Sequence, residues 1–226
     1  MHSRKETLHR YLVFCLGLVV TALGISLFTK ADIGVSPIAS IPYTVWRLLP
    51  QLTMGNWTII NNLILITLQI FILRKEVKWL YLLLQLIFII PFGYCIDLFN
   101  FLFAGYEPSF YPLRLFTVFI ACLILGMGAY LSVTGGVVML PGDSFVGAIT
   151  KKCRFEFGVV RVINDVTMAA IAVVVGLICA HLLIGVREGT IIAALLVGSM
   201  VKVYRRVLDR FLCRFLPVGD KPQDEI

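Results

Sequence analysis

Charge is what this chain has least of. Only 15% of its 226 residues are Asp, Glu, Lys or Arg, against 59% hydrophobic. A soluble domain of this size carries about 25% charged residues. The mean hydropathy is +0.93, and the apolar residues fall in long runs rather than a mixed pattern. The solvent this implies is a bilayer. The motifs that signal nucleotide chemistry are missing: there is no G-x-G-x-x-G and no G-x-x-x-x-G-K-[ST]. The three histidines (His2, His9, His181) lie at the edges of the apolar runs and form no metal set. The six cysteines are scattered without a C-x-x-C pair, which argues against zinc and redox sites. No cofactor is expected. The net charge of +7 sits between and after the apolar runs, with no basic, aromatic-interleaved patch, so it reads as membrane topology rather than nucleic-acid binding.

What is present is a sequence that repeats itself. Gly24 to Pro37 and Gly128 to Pro141 share a thirteen-residue step, and Ser40 and Ser144 follow each proline by three. Gly55 leads to Asn61 and Gly158 to Asn164 in six steps, and Gly93 matches Gly198. The offset stays at 104, 103 and 105. Three spans per copy is an odd number, so the second copy is inverted in the membrane, a construction common among secondary transporters.

The fold expected is an all-α polytopic membrane protein: about six transmembrane helices in two inverted three-helix repeats, each with a broken or re-entrant segment. Residues 1–10 form an N-terminal tail, 11–103 the first repeat, 104–112 a turn-rich linker, 113–207 the second repeat and 208–226 a C-terminal tail, with disorder expected past Pro217. The first apolar run, Tyr11 to Phe28, is long and lacks a small-x-small cleavage site, so it reads as a span rather than a signal peptide. Basic groups cluster at Arg4, Lys5 and Arg10, at Arg74, Lys75 and Lys78, at Lys151, Lys152 and Arg154, and from Lys202 to Arg214. With six spans all four groups face the cytoplasm, together with both termini.

Two short segments, from Pro37 and from Pro141, are apolar but too short to span. Non-helical backbone survives at membrane depth only inside protein or along a watered cavity. If the two helix starts meet near the midplane, their positive ends suit an anion or the carboxylate of a zwitterion; otherwise they are ordinary interfacial helix starts with proline in the first turn. Ser36 precedes Pro37 as an N-cap. Asp143 and Ser144 stand in the corresponding place of the second copy, where Asp143 either caps the helix or serves as a proton or cation relay. Asn61 and Asn62, and Asn164 and Asp165, lie near the starts of the second and fifth spans. They are either solute or coupling-ion contacts or interhelical hydrogen bonds. Arg161 lies one turn before Asp165 and pairs naturally with it. Asp97 reads as interfacial, Gln69 and Gln85 as bundle contacts. Gly17, Gly24, Gly126, Gly128, Gly135 and Gly136 permit close helix approach.

The stretches LGLVVTALGISLFTKADIGVSPIASIPYTV, GNWTIINNL, PFGYCIDLF and REGTIIAALLVGSMVKVY resemble the bacterial YczE/YyaS/YitT group of integral membrane proteins, from about Leu16 to Leu208. The resemblance implies a multi-pass protein of the bacterial cytoplasmic membrane and carries over no catalytic or binding residues. The function expected is a secondary transporter or permease for a small, anionic or zwitterionic solute, in contact with lipid and of a size that suits a homodimer. A non-transporting accessory protein that binds another membrane protein or a biosynthetic complex is the alternative. An intramembrane enzyme is disfavoured, since no nucleophile–base pair is visible.

Overall fold

The computed structural model describes residues 4–153 and 155–212; the expected C-terminal tail beyond Leu212 lies outside them. Among the described residues all regular structure is helical. Long helices α1 (Arg4–Ala31), α3 (Met54–Leu73), α4 (Trp79–Leu102), α5 (Tyr111–Gly135), α7 (Phe157–Ala180) and α8 (Glu188–Leu212) are joined by two short ones, α2 (Pro37–Leu48) and α6 (Pro141–Cys153). Helix α1 starts at Arg4, so most of the segment expected as an N-terminal tail is its first turns.

Five helices, α1, α3, α4, α5 and α7, are long and apolar enough to cross a membrane. The sixth expected span, α8, is long enough but not among those five. Lys202, Arg205 and Arg206 cut its apolar run short, and the helix continues through 208–212, where a tail was expected.

Helices α1 and α5 pack lengthwise at the centre. In lipid no hydrophobic force drives helices together, so the pair depends on close van der Waals contact, and small residues set how close it is. A Cβ on Gly17 would stand 2.6 Å from Ser132 N, one on Gly24 2.9 Å from Leu125 N, one on Gly128 2.5 Å from Thr21 N, and one on Gly135 2.9 Å from Phe14 N. The pairs run antiparallel. The hydroxyls in this seam are satisfied within their own helices: Thr21 Oγ1 donates to Gly17 O at 2.7 Å and Ser132 Oγ to Gly128 O at 2.9 Å. Helix α4 lies on α1 and α8 on α5. Gly55 of α3 faces the backbone of Gly93 in α4. Asp97 of α4 accepts from Gly55 N (2.7 Å) and from Thr53 Oγ1 (2.6 Å), capping the start of α3 rather than merely lying at the interface.

The outward faces are apolar. Phe101, Leu80, Phe71 and Ile178 are each more than 70% exposed. A soluble monomer rarely shows continuous apolar surface beyond a few hundred Å², whereas a bilayer requires it.

Each of α1 and α5 is followed by five non-helical residues, 32–36 and 136–140, and then by a proline-started short helix. Helix α2 packs on α7 and α3, and α6 on α3 and α7, so each short helix bridges two long ones. The backbone of the non-helical stretches is supplied with partners. Val35 N donates to Gly185 O (3.2 Å), and Ile33 O accepts from Gly189 N (2.8 Å). Met139 N donates to Tyr81 Oη (2.8 Å), and Met139 O accepts from Gln85 Nε2 (3.3 Å). This is the condition under which irregular backbone persists at depth.

Candidate functional site

Proline starts both short helices because its missing N–H is not needed in a first turn. The starts of α2 and α6 meet: the Ile38 side chain lies over Gly142, in the space a Cβ there would occupy. Two positive helix ends therefore abut inside the bundle. Ser36 and Ser144 flank this junction, 3% and 0% exposed, and neither Oγ has a hydrogen-bond partner. Ser36 holds the N-cap position of α2, but its hydroxyl makes no cap, against the sequence expectation. Ser40 is anchored instead: its Oγ lies 2.6 Å from Pro37 O and 3.3 Å from Met168 O, midway along α7.

Asp143, in the first turn of α6, is paired with Arg161 of α7 through Oδ1 and Nη1. Arg161 Nε also lies 3.8 Å from Asp165 Oδ2. One guanidinium thus bridges two carboxylates from two helices. Asp165 lies eight residues into α7, about 12 Å along its axis at the usual rise. The group holds two acids to one base, beside two positive helix ends.

Asn61, Asn62 and Asn164 are all buried. Among the described residues no hydrogen bond joins the α3 asparagines to Asn164; α3 and α7 are bridged by the short helices rather than packed on each other. Gln69 and Gln85 are 3% and 1% exposed, and the Oε1 of each lacks a partner. A small cavity of about 20 Å³, room for one water molecule, is lined by Gln69, Tyr81 and Ser144 and reaches the edge of the bundle at Glu76 and Lys78.

At the opposite end of α2, Asp32 gathers partners from α2, from α5 and from the loop before α8. Its carboxylate takes Tyr43 Oη at 2.9 Å, Arg47 Nη2 at 3.2 Å and Arg114 Nη1 at 4.0 Å, and its carbonyl accepts from Arg187 Nη1 at 3.2 Å. Burial is the largest influence on the Tyr43 phenol and pushes it above its ordinary range, so it stays a donor.

Comparison with known proteins supports a membrane protein. Residues 8–206 match the model of a family described as a family of unknown function, DUF6198. The chain belongs to DUF6198. It is 26% identical over 201 residues to the "Uncharacterized membrane protein YczE" of Bacillus subtilis (strain 168), covering 88% of this chain and 86% of that one. No solved structure matches it. The resemblance to the YczE group holds, and this DUF6198 chain is an integral membrane protein.

Sequence reasoning named Asp143, Ser144, Asp165, Ser36 and both prolines, and found the Arg161–Asp165 pair. It did not foresee that Arg161 also takes Asp143, because eighteen residues and a helix reversal separate them. Gln85 makes the bundle contact expected of it, through Met139 O; Tyr81 and the cavity beside Gln69 went unremarked. Two signals bear on them: Gln69 lies on the buried α3 stripe through Thr58, Asn62 and Leu65, and Tyr81 and Gln85 share one α4 face at helical spacing.

Proposed function

We propose that this DUF6198 protein is a secondary transporter or permease for a small solute with both an acidic and a hydrogen-bond-donating group, such as a zwitterion. The observation that carries the reading is the junction of the α2 and α6 starts, with the unpartnered hydroxyls of Ser36 and Ser144 beside the Asp143–Arg161–Asp165 bridge. Helix starts favour a carboxylate. Buried oxygens without donors cost free energy that a bound N–H or O–H relieves. Asp143 and Asp165 are the groups for a coupled proton or cation, and the buried amides of Asn61 and Asn62 on α3 and Asn164 on α7 are further candidate contacts.

The inverted repeat belongs to the same proposal. Exchanging α1 with α5, α2 with α6, α3 with α7 and α4 with α8 maps most helix pairs onto helix pairs: α2 on α7 becomes α6 on α3, and α1 on α4 becomes α5 on α8. The Gly24–Leu125 contact becomes Thr21–Gly128 at the offset of 104. The departure is instructive, since α3 packs along α4 while α7 and α8 scarcely touch. On this reading α8 is the sixth span, both termini are cytoplasmic in a bacterial inner membrane, and one repeat rocks against the other.

The test is solute-dependent thermal stabilisation of the purified protein across a metabolite panel, with Asp143→Asn, Asp165→Asn and Ser144→Ala beside wild type. A zwitterion that stabilises wild type by mass action but not the variants supports the site. No stabilising solute, with all variants as stable as wild type, would move the assignment to an accessory protein that binds another membrane protein.

A further inference from the structure

A second site lies where α3 and α6 end together. A groove of about 480 Å³ runs between them, walled by Phe71, Ile72 and Ile149, with Arg74 and Lys152 at its rim and Cys153 beside them. Phe71 is 71% exposed, and the two cations are exposed as well. Neither Arg74 nor Lys152 has an ion pair among the described residues, whereas their neighbours Lys151 and Glu76 neutralise each other at 3.2 Å. Trp79 and Phe155, 68% and 62% exposed, stand at the nearby starts of α4 and α7. Trp, with its amphipathic ring, is enriched at the level of the lipid headgroups, and Trp79 puts the mouth of the groove there.

Arg74 is also strained. It ends α3 at φ 48°, ψ −106°, a conformation that favours glycine over a long side chain. Strain of this sort persists where a side chain has a task. An apolar slot that opens at headgroup level under two uncompensated cations complements one kind of molecule: acyl chains joined to an anionic phosphate. We propose that this groove binds an anionic phospholipid, its phosphate between Arg74 and Lys152 and its chains along Phe71, Ile72 and Ile149. The site does not depend on the transport reading. It would tie the end of α6, and with it the position of Asp143 and Ser144, to the composition of the membrane.

Cys153 reports on occupancy. The full chain, purified in a neutral detergent, is titrated with phosphatidylglycerol or phosphatidylcholine in mixed micelles, and the maleimide labelling of Cys153 is read by mass spectrometry. Phosphatidylglycerol is expected to protect Cys153 and phosphatidylcholine not to. Each cation near an anionic lipid surface contributes about a fivefold preference, so Arg74→Gln/Lys152→Gln should raise the half-protecting lipid concentration about 30-fold. Lys152→Gln alone should raise it about fivefold and serves if the double variant does not fold. Lys202→Gln on α8, outside the groove, should leave it unchanged. Equal protection by phosphatidylcholine, or no shift in the variants, overturns the proposal. Protection by soluble glycerol 3-phosphate alone overturns it too, in favour of a small-anion site.

Discussion

Replacing Gly128 with alanine tests the central helix seam. The new Cβ would stand 2.5 Å from Thr21 N and 2.9 Å from its Cα, both backbone atoms that no rotamer change can move. Ordinary contact needs close to an ångström more, so α1 and α5 must part by roughly that amount. A gap of 0.5–1 Å forfeits about a quarter to a half of each atom pair's attraction of about 0.1–0.2 kcal/mol. Over some ~40 pairs along the seam the loss is about 2–3 kcal/mol. Alanine is the better helix former by up to about 1 kcal/mol, which offsets part of it. Separation wins, and the net destabilisation is about 1–2 kcal/mol. Gly198 is the control: a Cβ there meets nothing within 4 Å, so Gly198→Ala keeps only the propensity gain. Reversible unfolding in mixed detergent micelles measures both. The reasoning is refuted if Gly128→Ala unfolds at the same denaturant concentration as Gly198→Ala.

Three further outcomes are expected. Ser144→Ala should leave the ligand-free protein as stable as wild type or slightly more so, because the hydroxyl removed has no partner, while Ser40→Ala should cost about 0.5–1.5 kcal/mol; a destabilised Ser144→Ala in the same unfolding assay would mean that the hydroxyl is bonded after all. Arg161→Gln leaves two carboxylates facing each other and should cost about 1–3 kcal/mol, less than a fully buried pair because the arginine is 38% exposed; adding Asp143→Asn should recover at least half of it, and additive effects in that double-mutant cycle would rule the bridge out. Asp97→Ala removes the acceptor that caps α3 and should cost about 1–2 kcal/mol, with Asp97→Asn intermediate; amide exchange at Gly55 unchanged from wild type would contradict the cap.

The apolar runs, the scarcity of charge and the glycine–proline spacing were enough to establish that this chain lives in a bilayer, where its long helices lie and where helices break, because these are properties of composition and period. Gly17, Gly24, Gly128 and Gly135 were recognisable as close-approach residues for the same reason. Their partners were not, since an antiparallel register joins residues more than a hundred positions apart. Local pattern also misled at Ser36: the spacing suits a cap, but only the packed structure reveals a buried hydroxyl with no donor or acceptor in reach. Likewise α8 has the length of a span, and its basic half sets it apart from the five that qualify by composition. The tertiary structure alone decided that Ile38 covers Gly142, that Arg161 serves two aspartates, and that Arg74 and Lys152 share one groove. Each of these joins separate helices, and where helices meet depends on which side chains leave room for one another in lipid rather than on any periodicity along the chain.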